Sequence, residues 1–150
     1  MSVPKGKRSK SNAEFEMIYF KLADAVDNLV EHEFFADGLL AQKNKVFMEI
    51  RCRSLERLTD ELLYYIKIAN SIYPMCMEEW EQRRVCMGKA IGVCFAILGH
   101  LQRIMTRLRI PDTRYVEDIK IVDKMINSLR AWRQSDYKRR NKFVEKNNNI

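Results

Sequence analysis

The chain has 150 residues, 47% of them hydrophobic, with only five glycines and three prolines. This length predicts one domain with a single core, and the scarcity of glycine and proline favours long helices with short connections. The net charge of +7 excludes an acidic protein and comes from the two ends, because residues 1–13 contribute +4 and residues 134–150 contribute +3.

The sequence predicts neither a membrane segment nor a metal centre. It has no apolar signal segment, and its longest apolar run, residues 90–99, is about half a membrane span. The four cysteines are separated by 24, 10 and 8 residues without a Cys-x-x-Cys pair, and only His32 and His100 could assist them. We interpret the cysteines as small core residues of a reduced, soluble, cytoplasmic protein that has no cofactor.

The first elements in chain order are a basic segment and a helix. Residues 1–11 have nothing to bury and are predicted to be a disordered basic tail. Ser11 and Glu14 have capping-box spacing, so the first helix is expected to begin there. Its apolar positions recur at steps of three and four. They are Phe15, Ile18, Leu22, Ala25 and Leu29.

A turn and a second helix follow. Asp37-Gly38 is a turn signal, and the residues up to Asn44 follow no pattern that assigns them to an element. From about Asn44 to Ala69 the apolar residues keep a seven-residue period, which favours packing along a neighbouring helix. They are Met48, Cys52, Leu55, Thr59, Leu62, Ile66 and Ala69.

The third helix, Met75 to Leu108, is the most apolar. Pro74 disfavours helical geometry in the residue before it and suits the first turn of the helix after it. Gly88, Gly92 and Gly99 each cost about 1 kcal/mol relative to alanine inside a helix. Either a partner helix approaches closely at these glycines, or the helix bends. The repeating apolar residues are Met87, Ile91, Cys94, Leu98, Leu101, Met105 and Leu108.

Pro111 ends the third helix, and Asp112 or Thr113 can cap a fourth. Its apolar period stops after Arg133, and residues 136–150 are predicted to be a basic, polar, disordered tail. We therefore expect an all-α fold, with residues 12–135 forming an antiparallel up-down four-helix bundle between two basic tails. In this arrangement both tails emerge beside the joint at residues 70–74.

No catalytic constellation is present in the sequence. A Gly-rich phosphate loop, His-Glu-x-x-His, Gly-x-Ser-x-Gly and a Cys-His pairing are all missing. Adjacent carboxylates such as Glu78 and Glu79 point to different faces of a helix. The sequence predicts a protein that is not an enzyme and has no catalytic residue.

The two basic ends predict a nucleic-acid partner, because flexible Lys and Arg clusters bind polyanions by releasing counterions. Solubilising termini are the alternative. A membrane partner is not expected, since neither end has an apolar helical face to insert. Trp132 and Tyr137 near the second cluster favour nucleic acid. The candidate residues are Lys5, Lys7, Arg8, Lys10, Lys138, Arg139, Arg140 and Lys142.

Several short motifs are spread along the whole chain. They are Ser2-Val3-Pro4-Lys5-Gly6-Lys7-Arg8, Asn70-Ser71-Ile72-Tyr73-Pro74, Arg83-Arg84, Ala90-Ile91, Cys94, Asp112-Thr113-Arg114-Tyr115 and Trp132-Arg133-Gln134-Ser135-Asp136. Together they resemble one family, the accessory variability determinant proteins of diversity-generating retroelements. These small four-helix proteins are encoded beside reverse transcriptases and are related in fold to four-helix proteins inserted in bacterial ribosomal RNA genes.

The resemblance implies a homopentamer of four-helix bundles that has no catalytic residues. Such a protein binds the reverse transcriptase and its structured template RNA, with DNA as a second nucleic acid, and assists mutagenic cDNA synthesis. The positions that match the family's basic residues are Arg83, Arg84, Arg114, Arg130 and Arg133.

Two other readings remain open from the sequence. The first is a structural oligomer that scaffolds a protein partner through a patch of Tyr64, Tyr65, Trp80 and Trp132. The second is a monomeric bundle of the ribosomal-RNA type that takes no part in reverse transcription.

Overall fold

The computed structural model describes the backbone of residues 10–148 and the side chains of residues 14–148. Within these residues all regular structure is helical, so the predicted all-α class is confirmed. The described residues form five α-helices and two 3-10 helices. They are α1 (Lys10–Glu31), a 3-10 turn (Glu33–Phe35), α2 (Gly38–Lys43), α3 (Lys45–Ser71), α4 (Met77–Leu108), a 3-10 turn (Asp112–Tyr115) and α5 (Val116–Asn148).

The four long helices pack in a bundle-like arrangement around one apolar core. α4 contacts α3 and α5, and α1 also contacts α3 and α5. The predicted apolar stripes supply the core: Leu22, Leu62, Leu101 and Leu129 are fully buried, one from each long helix. Each such side chain contributes about 1.5–3 kcal/mol through burial.

The connection before α3 is more ordered than the sequence predicts. Asp37 begins α2, and its side chain accepts a hydrogen bond from the Leu40 amide at 3.1 Å. Phe34 in the preceding 3-10 turn is buried, and its ring meets that of Tyr115 edge-on at 5.8 Å between centroids. A six-residue helix is too short to display an apolar period, so the sequence left this segment unassigned.

The joint between α3 and α4 is close to the predicted one. α4 begins at Met77, two residues later than expected, with Cys76 as its N-cap residue. The Glu79 carboxylate accepts a hydrogen bond from the Met75 amide at 3.1 Å. Met75 precedes the N-cap residue, so this hydrogen bond ties the joint to the first turn of α4.

The predicted disordered tail from residue 136 is wrong for the residues that the structure describes. α5 continues to Asn148, and Asp136 is only 5% exposed. Farther along, the Phe143 ring lies 6.3 Å from the ring of Trp80 on α4. The bundle therefore has no boundary at residue 135. The disorder expected of residues 1–9 lies outside the described residues, and residues 10 and 11 are helical.

The glycines of α4 do not mark a close approach of another helix of this chain. A Cβ atom built at Gly88, Gly92 or Gly99 would meet no atom within 4 Å. Gly92 and Gly99 are exposed, and Gly88 is half-buried. This outcome contradicts close packing by an intramolecular partner helix.

Candidate nucleic-acid interface

Arg83, the first candidate residue on α4, is buried and has a structural role. It is 7% exposed, and its Nε and Nη2 donate to the two carboxylate oxygens of Asp136 at 3.0 and 2.6 Å. Its Nη1 donates to the Ile72 carbonyl at 2.8 Å. The guanidinium carbon also lies 5.9 Å from the ring centre of Trp80 and 5.5 Å from that of Trp132.

The guanidinium of Arg83 is therefore occupied by the protein itself, and Arg83 is not the exposed arginine that the sequence predicts. The packing of α4 on α5 brings residues 83 and 136 together, although they are 53 positions apart in sequence. A bidentate Arg–carboxylate pair in a buried site joins the two helices with defined geometry. The sequence showed two adjacent arginines and gave no reason to separate their roles.

The neighbouring Arg84 faces a groove between α4 and α5. The groove has a volume of about 470 Å³ and brings together four of the predicted arginines with two aromatic residues. Its walls are formed by Trp80, Arg84, Met87, Arg130, Arg133, Gln134, Asp136, Tyr137 and Arg140.

Two of the groove arginines lie against aromatic rings. The Arg130 guanidinium lies 5.5 Å from the centre of the Phe95 ring, and the Arg140 guanidinium lies 5.1 Å from the centre of the Tyr137 ring. Such cation–π contacts orient a guanidinium without cancelling its charge. Tyr137 is 55% exposed, so part of its surface remains open to a ligand.

The electrostatic balance of the groove is positive. Asp136 in its wall is neutralised by Arg83. Arg84 forms an ion pair with Glu81 one turn earlier, and this hydrogen bond lowers the pKa of the Glu81 carboxyl and raises that of Arg84. No other carboxylate lies within 4.0 Å of a groove arginine in residues 14–148. The groove can therefore bind an anion.

Two buried donors in the groove walls lack an acceptor. The Nε atom of Arg140 and the indole Nε1 of Trp80 are shielded from solvent and make no hydrogen bond to the described residues. Buried donors in folded proteins nearly always have a partner. A ligand or an ordered water at the groove could satisfy them.

The structure does not bring the other candidate residues into this groove. Arg114 lies at the far end of α4 and α5, with its guanidinium 6.0 Å from the Tyr115 ring centre. Lys138, Arg139 and Lys142 are exposed on α5 but do not line the groove. Lys10 is the first residue of α1 and its side chain is outside the described set, as are all of Lys5, Lys7 and Arg8.

Trp80 and Phe95 lie at this surface, but they could not be recognised from the sequence as partners of the arginines. Finding them requires the register of α4 against α5, which no local pattern supplies. A signal did exist on α5 alone. Arg130, Arg133, Tyr137 and Arg140 recur at steps of three and four, and such residues lie on one face of a helix.

Burial changes the pKa of one thiol and one imidazole on α4. Burial raises the pKa of the Cys94 thiol to about 12, so it stays protonated at neutral pH. Burial, followed by the charges of Arg51, Arg103 and Arg57, lowers the pKa of His100. Among the described residues no group of three or more His, Cys, Asp and Glu side chains is placed to hold a metal ion.

By length and composition alone, α4 is also apolar enough to cross a membrane, the one such helix among the described residues. In this fold it packs between α3 and α5. Of its most apolar 18-residue stretch, 39% is buried, which leaves an apolar outer surface.

Comparisons with known proteins add no relative to this description. No protein-family model, no curated protein and no solved structure matches the chain.

Proposed function

We propose that this protein is a non-enzymatic accessory subunit of a retroelement reverse transcriptase that binds structured template RNA. The RNA-binding surface is the groove between α4 and α5, extended by Lys138, Arg139 and Lys142. The polymerase partner rests on the family resemblance of the sequence motifs. The proposal of an RNA partner is supported by the same resemblance and also by the arginines and aromatic rings of the groove.

The observation that carries the RNA proposal is the mixture of arginines and aromatic rings in one groove. Guanidinium groups pair with phosphate oxygens and release counterions. Exposed aromatic faces stack on unpaired bases, and this stacking tolerates any base sequence. Arg84, Arg130, Arg133 and Arg140 supply the first chemistry, and Tyr137 supplies the second.

We further propose that the long helices form the antiparallel up-down bundle expected from the sequence. Contacts between α3 and α4 support it, because Phe47 near the start of α3 meets Arg107 near the end of α4, whereas Tyr65 meets Lys89. α4 and α5 follow the same rule, since Trp80 meets Phe143 and Phe95 meets Arg130. α2 is a short insertion in the connection between α1 and α3.

Replacing Arg84, Arg130, Arg133 and Arg140 together by glutamine is expected to weaken RNA binding strongly and to reduce its salt dependence. If each arginine contacts one phosphate of a single strand, the slope of log affinity against log salt decreases by about 3. Fluorescence anisotropy with a labelled structured RNA over a series of salt concentrations measures both effects.

The matched control removes four exposed positive charges elsewhere, namely Lys21, Lys43, Arg53 and Lys124. This variant has the same net charge as the groove variant. Equal losses of affinity in the two variants would mean that only net charge matters and would contradict a binding groove. Circular dichroism verifies that both variants keep their helices.

An oligomeric scaffold is the second candidate, and the outer face of α4 favours it. We define this face by Val85, Gly88, Gly92, Phe95 and Gly99; Val85 is 41% exposed and Phe95 48%. The glycines leave room for a neighbouring helix to approach. We propose that copies of the chain assemble through this face, as the pentamer of the resembled family implies.

The patch expected from the sequence does not form this scaffold surface. Trp80 is buried and Trp132 is half-buried, where they pack on Phe143 and Phe15 respectively. Tyr65 lies beneath Lys89, and only Tyr64 of the four is largely exposed. The patch prediction is therefore wrong.

Gly92→Glu is expected to reduce the mass of the assembly to that of a single chain. Glutamate raises helix propensity at an exposed position, so the helix itself should be retained, whereas an apolar interface rejects the charge. Light scattering with size-exclusion chromatography measures the mass. Asn127→Glu on the exposed surface of α5 is the matched control. A wild-type chain that is already monomeric would contradict the assembly and favour the ribosomal-RNA type of bundle.

A further inference from the structure

A second group of arginines surrounds one phenylalanine at the junction of α3 and α4, and we call it the Phe47 cluster. The guanidinium carbons of Arg51, Arg103 and Arg107 lie 5.2, 5.6 and 5.2 Å from the centre of the Phe47 ring. Arg103 is nineteen residues beyond Arg84 on α4, which corresponds to about 28 Å of helix. The cluster is therefore separate from the RNA-binding groove.

No acidic side chain neutralises the Phe47 cluster. Across residues 14–148, no carboxylate oxygen comes within 4.0 Å of its guanidinium groups. Arg107 donates from Nε only to the neutral amide oxygen of Asn44, at 3.4 Å. Three positive charges thus converge without a counter-charge.

The arginine at the centre of this cluster also has free donors that are shielded from solvent. The Nε and Nη1 atoms of Arg51 are buried and have no acceptor among the described residues. Buried, charged donors in this position call for an external acceptor.

The pKa shifts of two neighbouring side chains reflect the concentration of positive charge in the cluster. Burial and the charge of Arg103 lower the pKa of Arg51. The Nδ1 atom of His100 is buried and has no hydrogen-bond partner in the described part of the chain. Burial, followed by the charges of Arg51, Arg103 and Arg57, lowers the pKa of its imidazole. A neutral His100 adds a polar wall to the cluster without another positive charge.

We propose that the Phe47 cluster binds a phosphate group that carries two negative charges, as free phosphate or as the terminal phosphate of a mononucleotide. A phosphate monoester has a charge of about −1.5 to −2 and three strong acceptor oxygens. A carboxylate has one charge and two oxygens and leaves more of three guanidinium groups unsatisfied. Phe47 does not serve as a base-stacking platform, because guanidinium groups already cover it.

Calorimetric titration of the full chain with inorganic phosphate tests this site, with chloride balancing the ionic strength. We expect one phosphate per chain, and at least tenfold weaker binding after Arg51→Gln with Arg103→Gln. The control, Lys21→Gln with Arg53→Gln, removes two exposed charges and should bind as the wild type does. If the cluster variant does not fold, the wild-type melting temperature decides: it should rise with phosphate concentration along the curve of a single binding site. A rise that is merely proportional to phosphate concentration is the general effect of a kosmotropic salt and would contradict a site.

Two further probes identify the source of the phosphate. Adenosine monophosphate that binds at least tenfold more tightly than inorganic phosphate assigns a mononucleotide, and equal affinities assign free phosphate. Dimethyl phosphate has one charge and is expected to bind at least tenfold more weakly. Equal binding of dimethyl phosphate, or a melting temperature that phosphate leaves unchanged, overturns the proposal. The RNA-binding proposal is unaffected by either result, because none of its groove residues belongs to the cluster.

Discussion

Asp136→Ala is expected to lower the free energy of unfolding by about 3–5 kcal/mol. Asp136 holds two nitrogens of Arg83 in a site where both side chains are less than a tenth exposed. The substitution leaves a buried guanidinium without its counter-charge, and the cost of that unpaired charge is the main loss. Urea denaturation followed by circular dichroism measures the change.

Two matched variants test whether the unpaired charge of Arg83 causes this loss of stability. Arg84→Ala removes the adjacent arginine, which is exposed and pairs with Glu81, and is expected to leave the free energy of unfolding nearly unchanged because solvent screens an exposed ion pair. Replacing the buried pair by apolar residues, Arg83→Met with Asp136→Leu, should recover much of the lost stability. A small effect of Asp136→Ala, equal to that of Arg84→Ala, would show that the pair is not a structural element.

A chain that ends at residue 135 is expected to lose at least as much stability as Asp136→Ala. It leaves Arg83 unpaired in the same way and also uncovers Trp80, which Phe143 otherwise covers. Domains of this size are stable by only about 5–15 kcal/mol, so much of the truncated chain should be unfolded. Thermal unfolding and the dispersion of amide signals in an NMR spectrum measure this outcome.

Shorter truncations separate the two contributions. A chain ending at Asn141 keeps Asp136 but loses Phe143, and should lose about 1 kcal/mol, the order of one aromatic contact. A chain ending at Lys146 removes only exposed or undescribed residues and should match the full chain to about 0.5 kcal/mol. Full stability of the chain ending at residue 135 would restore the view that this end is a separate tail.

The apolar stripes of the long helices could be predicted because burial imposes a period on the sequence. Leu55, Leu62 and Ile66 recur at the spacing of one helix face, and all three are buried in the structure. Pro74 and Pro111 marked both joints for a similar reason, since proline restricts the backbone locally. Such signals require only the neighbouring residues along the chain.

The end of α5 could not be predicted in this way, because its buried contacts are polar or widely spaced. Asp136 is buried where it pairs with Arg83, and the half-buried Phe143 packs against Trp80. Each partner lies more than fifty residues away, so an apolar period is not required there. A helix of this kind looks like a solvated tail when its own residues are considered alone.

Part of the candidate groove could likewise be predicted from the sequence, and part depends on packing between helices. The net positive charge and the α5 face of Arg130, Arg133 and Arg140 follow from the sequence. The different fates of Arg83 and Arg84 follow only from the packing of α4 on α5, which turns one inward and the other outward. Adjacent residues on a helix point in directions about 100° apart, so one packed face separates them.

The contacts of Arg83 also connect three segments that are far apart in sequence, so these segments should unfold together. Its guanidinium joins the Ile72 carbonyl in the joint before α4, its own position in α4, and Asp136 in α5. Fraying of the last turns of α5 past Asp136 would release the joint at the same moment. These segments therefore form one cooperative unit, and their amides should exchange with solvent at a common rate rather than one helix end at a time.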